Sequence, residues 1–199
     1  RARGLARGDG ERVVSLFCYP NPALDELLDR LAEQPTLLLA TSGHATAQVE
    51  ALLGPRLSRG AMRVVPMPHL TQFDYDHLLW ACDLNLVRGE DSFVRAQWAG
   101  RPFVWQVYPQ HDDAHAAKLA AFLAHLTAGA EPALAEALRR LFLRWNGLSD
   151  DALRLPPDAA WRAQADAIRA RYGDVVNEPV PERLQLDEII KNDMKNQAG

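Results

Sequence analysis

Val13-Val14-Ser15-Leu16-Phe17-Cys18-Tyr19-Pro20-Asn21-Pro22 is the stretch that decides the fold class. Its β-branched and aromatic run reads as a strand stopped by Pro20, after which Asn21 supplies an N-cap and Pro22 a proline at the first helical position. The segment therefore reads strand, turn, helix. The same unit recurs downstream. The apolar run Thr36 to Ala40 meets a Thr-Ser-Gly turn and helix-like Ala45 to Leu53, and Met62 to Pro66 is followed by helix-like Asp74 to Cys82. Strand-like Leu84 to Val87 then leads into a helix opening near Asp91-Ser92, and Pro102 to Val107 closes the series. Strands alternating with helices of this length predict an α/β fold, a Rossmann-like doubly wound parallel sheet with helices on both faces. The uninterrupted apolar character of several strands is what burial on both faces demands.

Working outward, residues 1–10 are Arg- and Gly-rich without apolar period and read as a linker or disordered end. Residues 11–185 form the predicted domain, whose second half is helical cover: Ala114 to Leu126, Pro132 to Trp145 and Asp158 to Arg171 carry helical spacing and little strand signal. Residues 186–199 read as a tail, either a solvated final helix or a non-native addition. The first residue is Arg1, so the chain is expected to be a piece of a longer protein.

Composition narrows the function. The 199 residues are 48% hydrophobic, with 22 Lys and Arg against 26 Asp and Glu, a net charge of -4. No basic block offers a footprint for nucleic acid or an anionic membrane, and no run approaches the roughly twenty apolar residues of a membrane span. Cys18 and Cys82 stand alone in apolar stretches, which argues against disulfide or zinc and favours the cytoplasm. His111 and His115 share helical spacing, but no HExxH surrounds them, and a solvated helix face is the better reading. Asp112-Asp113 reads as the cap of that helix. The absence of a P-loop, GxGxxG and GxSxG disfavours NTPase, dehydrogenase and serine hydrolase chemistry.

In an open parallel sheet the ligand crevice lies beyond the carboxyl ends of the strands. Four junctions stand there: Phe17 to Tyr19, Ala40 to Gly43, Pro66 to Tyr75, and Arg88-Gly89-Glu90-Asp91-Ser92. At the fourth, Gly89 permits a tight turn, and the amides of the following helix can hold a diphosphate without a metal. Asp91 and Ser92 read plainly as helix caps. Glu90 suits sugar hydroxyls, with Arg88 or Arg95 offsetting charge. The aromatics Phe17, Tyr19, Phe73, Tyr75 and Tyr108 either pack under the loops or stack a nucleobase, and Gln72 offers the donor and acceptor of a pyrimidine edge.

The block PHLTQFDYDHLLWACDLNLVRGEDSFVRAQWAGRPFVWQVYPQ within residues 68–110 resembles the protein-arginine rhamnosyltransferases that modify bacterial elongation factor P. The resemblance weakens but continues from about Val13 through the helical half. It implies the C-terminal, donor-binding half of an inverting two-domain GT-B glycosyltransferase, with dTDP-β-L-rhamnose as donor and elongation factor P as acceptor. Phe17, Tyr19, Gln72, Tyr75, Glu90, Asp91, Ser92 and Tyr108 match the family's nucleotide-sugar positions. Glu90 is the candidate catalytic residue, steadying rhamnose rather than serving as base. No cofactor or metal is expected, since no DxD-type carboxylate pair is placed at the phosphates. The family's Asp-Asn-Phe-Gly-Asp segment, which serves acceptor binding and base catalysis, is missing from these 199 residues. The chain alone is accordingly expected to lack turnover without the N-terminal half. A nucleotide-sugar epimerase and a non-catalytic module docking elongation factor P are the alternatives.

Overall fold

The computed structural model describes residues 7–109 and 114–172. Six strands form one sheet: β1 (Arg12–Leu16), β2 (Thr36–Ala40), β3 (Ser58–Arg59), β4 (Met62–Pro66), β5 (Leu84–Arg88) and β6 (Phe103–Gln106). Their order is β3-β4-β2-β1-β5-β6. All neighbours run parallel except the short β3, which pairs antiparallel with β4 at the edge. Chain order moves outward from β1 through β2 to β4, then crosses back to β5 on the other side of β1. The topological switch point thus lies between β1 and β5, where an open α/β sheet forms its ligand crevice.

Helices alternate with the strands: α1 (Leu24–Leu31), α2 (His44–Leu53), α3 (Gln72–Ala81), α4 (Asp91–Ala99), α5 (Ala114–Leu126), α6 (Pro132–Trp145) and α7 (Asp158–Tyr172). In α1 the leucines 24, 27, 28 and 31 recur at helical spacing and are buried, while Asp25 and Glu26 occupy the positive N-terminal turn. The larger core joins Val14, Leu16, Leu38 and Ala40 to those leucines and to Phe142 and Trp145 of α6. A smaller core on the opposite face joins Val13, Leu37 and Leu39 to Leu78 of α3 and to Cys82. Burial on both faces explains why β2 reads TLLLA without alternation.

Three boundaries differ from expectation. The first strand ends at Leu16, although the Phe17 amide still donates to the Leu86 carbonyl of β5 at 2.9 Å. The helix after it begins at Leu24, since Asn21 Oδ1 accepts from the Ala23 amide in a local turn and Asn21 Nδ2 donates to the Trp145 carbonyl. Asp91 and Ser92 are not caps: Glu90 holds the N-cap position and makes no side-chain cap bond. The expected cap at Asp112-Asp113, the residue His111 and the tail 186–199 lie outside the described residues.

Candidate functional site

The loop that leaves β1 presents Phe17 and Tyr19 on either side of buried Cys18. The guanidinium carbon of Arg88, at the end of β5, lies 4.2 Å from the Phe17 ring centroid and 4.6 Å from that of Tyr19. This stacking spans the switch point. Arg88 meets no carboxylate among the described residues, so its charge remains available to an anion. A guanidinium held over two aromatic rings is restrained for contact with a phosphate. Burial pushes the Cys18 thiol up to about 12, with nearby Arg88 opposing. Cys18 is a packing residue at neutral pH.

Gly89 adopts a φ of 66°, and a Cβ built there would stand 3.0 Å from the Tyr19 hydroxyl. Only glycine allows that turn and that approach together. Helix α4 then starts without a side-chain cap, leaving the amides of its first turn and its positive dipole end towards the shelf above the strands. Two carboxylates flank this start, and each has a partner. Lys118 Nζ lies 3.2 Å from Glu90, and Arg95 Nε lies 2.8 Å from Asp91 while its Nη1 meets Asp76 at 2.8 Å. Arg95 is therefore committed to bracing α4 against α3, and Lys118 offsets Glu90. Ser92 is buried, 6% exposed, at the foot of the same turn.

The remaining expected residues divide. Tyr108 is 59% exposed and meets Tyr19 edge to face at 5.4 Å, so it walls the shelf. Gln72 is exposed in the first turn of α3, behind the Thr71 cap. Tyr75 is half-buried and packs against both cores, with Phe17 edge to face at 5.6 Å. Its hydroxyl is enclosed with no partner in hydrogen-bond geometry among the described residues, and burial pushes it above the ordinary phenol range while Ser92 beside it opposes. Tyr75 thus supports Phe17 from beneath. Phe73, by contrast, points outward, 68% exposed.

Sequence reasoning missed the amide side chains that hold these loops. Gln106 Oε1 accepts from the Tyr19 amide at 2.8 Å, and Gln48 Nε2 donates to the carbonyls of Tyr19 and His44. Asn146 Oδ1 accepts from the Val107 amide. A polar residue ending the apolar strand Phe103–Gln106 was the available signal for Gln106; the others depend on distant partners.

A cavity of about 510 Å³ lies at the other end of the sheet, lined by Arg12, Asp83, Arg101, Asp158 and Trp161. It stands at the amino ends of the strands, and Arg12 is already paired with Asp158 there. The carboxyl end carries the uncapped start of α4 and a guanidinium that meets no carboxylate among the described residues. No group of three or more His, Cys, Asp or Glu among the described residues is placed to hold a metal ion.

Comparison with known proteins bears on the same residues. The chain is 51% identical over 152 residues to a protein-arginine rhamnosyltransferase of Pseudomonas aeruginosa, a match covering 72% of this chain and 40% of that protein. It is 44% identical over 163 residues to the Pseudomonas putida enzyme of the same name, covering 77% and 42%. The matched stretch is thus well under half the length of these relatives. A solved structure described as the structural basis for EarP-mediated arginine glycosylation of translation elongation factor EF-P superposes with a TM-score of 0.69 at 36% identity, covering 94% of this chain and 61% of that one. The family model of the elongation-factor P rhamnosyltransferase EarP matches residues 1–181, a span that includes every site residue above, and the chain belongs to that family.

Proposed function

We propose that this chain is the donor-binding half of an inverting GT-B-type glycosyltransferase that moves L-rhamnose from dTDP-β-L-rhamnose to an arginine side chain of elongation factor P. The observation that carries the reading is Arg88, stacked on Phe17 and Tyr19 and unpaired among the described residues, beside the uncapped start of α4. The names of the relatives support the acceptor chemistry.

On this reading the diphosphate lies across the amides of the first turn of α4, with Arg88 above it and Gln72 towards the base. Tyr19 and Tyr108 form the aromatic wall. Ser92 adds a hydroxyl donor where the helix begins. The guanidinium of an acceptor arginine is protonated at neutral pH and is a poor nucleophile, so a carboxylate must orient it and take a proton as its nitrogen bonds to the anomeric carbon. The bond from that carbon to the dTDP oxygen breaks as the new one forms, which inverts the configuration. Negative charge grows on the departing diphosphate, where the helix start and Arg88 offset it. Glu90 accepts from rhamnose hydroxyls and holds the ring for attack. The base and the acceptor surface belong to sequence outside these 199 residues, since the Asp-Asn-Phe-Gly-Asp segment is missing from them. No metal or cofactor is assigned, and the proposed setting is the cytoplasm. No described helix is long and apolar enough to cross a membrane.

The test uses a complete enzyme carrying this domain, with the acceptor peptide analysed by mass spectrometry for one deoxyhexose on arginine. Glu90→Gln is expected to depress turnover more than dTDP affinity. Full activity of that variant would remove Glu90 from catalysis.

A further inference from the structure

Gln106, the last residue of β6, is only 5% exposed and follows Phe103, Val104 and Trp105, all buried. A buried amide in such company is costly unless its polar atoms are used. Here the use is specific. Its side-chain carbonyl accepts the Tyr19 amide at 2.8 Å, and its main-chain carbonyl accepts the Gly89 amide at 3.1 Å. Gln106 is also the register partner of Arg88 on the neighbouring strand. One residue on β6, two strands away from β1, therefore ties the loop after β1 to the turn after β5.

The frame around it is fixed from behind. Trp105 Nε1 donates to the Gly89 carbonyl at 2.6 Å, and Asn146 accepts from the Val107 amide while donating to the Trp105 carbonyl at 2.8 Å. The Tyr19 ring touches both Arg88 and Tyr108, and its hydroxyl crowds the position where a Gly89 Cβ would stand. A shift of the Tyr19 backbone would carry its contacts with Arg88, Tyr108 and the Gly89 turn with it.

We propose that Gln106 is a positioning residue of the donor site, setting the separation between Tyr19 and the Gly89 turn so that Arg88 and the first amides of α4 meet one diphosphate together. The inference rests on the nucleotide-sugar reading above and adds a residue that reading does not use. It acts through Tyr19, and that dependence is what separates it from a residue that only fills the core.

The experiment is calorimetric titration of the 199-residue chain with dTDP in a double-mutant cycle. Gln106→Leu is expected to weaken binding roughly fivefold to fiftyfold when Tyr19 is present, and less than about twofold when Tyr19→Ala has already been made. Equal losses in both backgrounds would assign Gln106 a merely structural role and overturn the proposal. A measurement on the unmutated chain keeps the test independent of how the variants fold. There dTDP is expected to slow hydrogen exchange at the Tyr19 and Gly89 amides by comparable factors, and slowing at Gly89 alone would overturn the proposal. An unmutated chain that binds no dTDP overturns the nucleotide reading and this proposal together, whereas binding without coupling overturns this proposal alone.

Discussion

Arg88→Ala removes the guanidinium that bridges Phe17 and Tyr19, and dTDP affinity should fall by about 1.5–3 kcal/mol, roughly tenfold to a hundredfold, as expected for a hydrogen bond to a charged group. Calorimetry checks it, with circular dichroism showing whether the fold survives. Tyr75 is a different case. Because its enclosed hydroxyl has no partner in hydrogen-bond geometry among the described residues and only Ser92 acting on it, Tyr75→Phe should leave dTDP affinity within twofold, at about the 0.4 kcal/mol level, and leave or raise the melting temperature. Gln72→Ala, on the exposed start of α3, should weaken dTDP without a change in melting temperature. At this scale the sequence was partly legible. The Arg-Gly-Glu-Asp-Ser stretch was legible as a strand-to-helix turn, because Gly89 takes the positive φ that ends β5 before α4 begins. The separation of Tyr75 from Tyr19 was not legible, since both are aromatic residues near strand ends and only packing shows which ring faces outward. Nor could spacing reveal that Arg95 is spent on Asp76 and Asp91 while Arg88 is not.

Helix α4 is where the proposed reading seats the diphosphate. Its dipole and uncapped amides act without a cation, so dTDP affinity should be unchanged by EDTA, and a strict Mg²⁺ requirement would sink that assignment. Helix α1 carries a second expectation. Glu26 pairs with Arg144 of α6 and accepts from the Leu153 amide at 2.9 Å, and these contacts hold its carboxyl below the ordinary carboxylate range. Glu11 is held low in the same direction, chiefly by its hydrogen bonds from Arg63. A carboxyl whose folded pKa is depressed contributes stability above its unfolded value and loses it as pH falls through the folded one. Glu26→Gln should therefore lower the melting temperature near neutral pH by about 2–4 °C, corresponding to about 1 kcal/mol for a pair this exposed. The difference from the unmutated chain should shrink as pH drops below the carboxylate range. A difference that persists unchanged in acid would mean the effect is packing rather than charge. Element types were read correctly where apolar period was strong, as in α6, whereas the start of α1 was misplaced because Asn21 serves α6 as well as its own turn.

Across the whole molecule, the alternation of apolar strands and helices was enough to specify a parallel sheet, because parallel strands need crossovers and crossovers need that length. Strand order was not legible from pattern, since β2 and β4 lie on one side of β1 and β5 and β6 on the other for reasons of tertiary packing. That order is what puts Phe17 and Tyr19 against Arg88. On the proposed reading this end of the sheet binds a dTDP-sugar by itself while transfer requires residues from elsewhere in the enzyme, so the isolated chain should leave elongation factor P unmodified. The most direct measurement is calorimetry of the chain with dTDP-rhamnose and with UDP-glucose, in EDTA. Saturable binding of dTDP-rhamnose at least about tenfold tighter than that of UDP-glucose is expected, a preference of about 1.4 kcal/mol. Equal affinity for the two, or no binding of either, would contradict it.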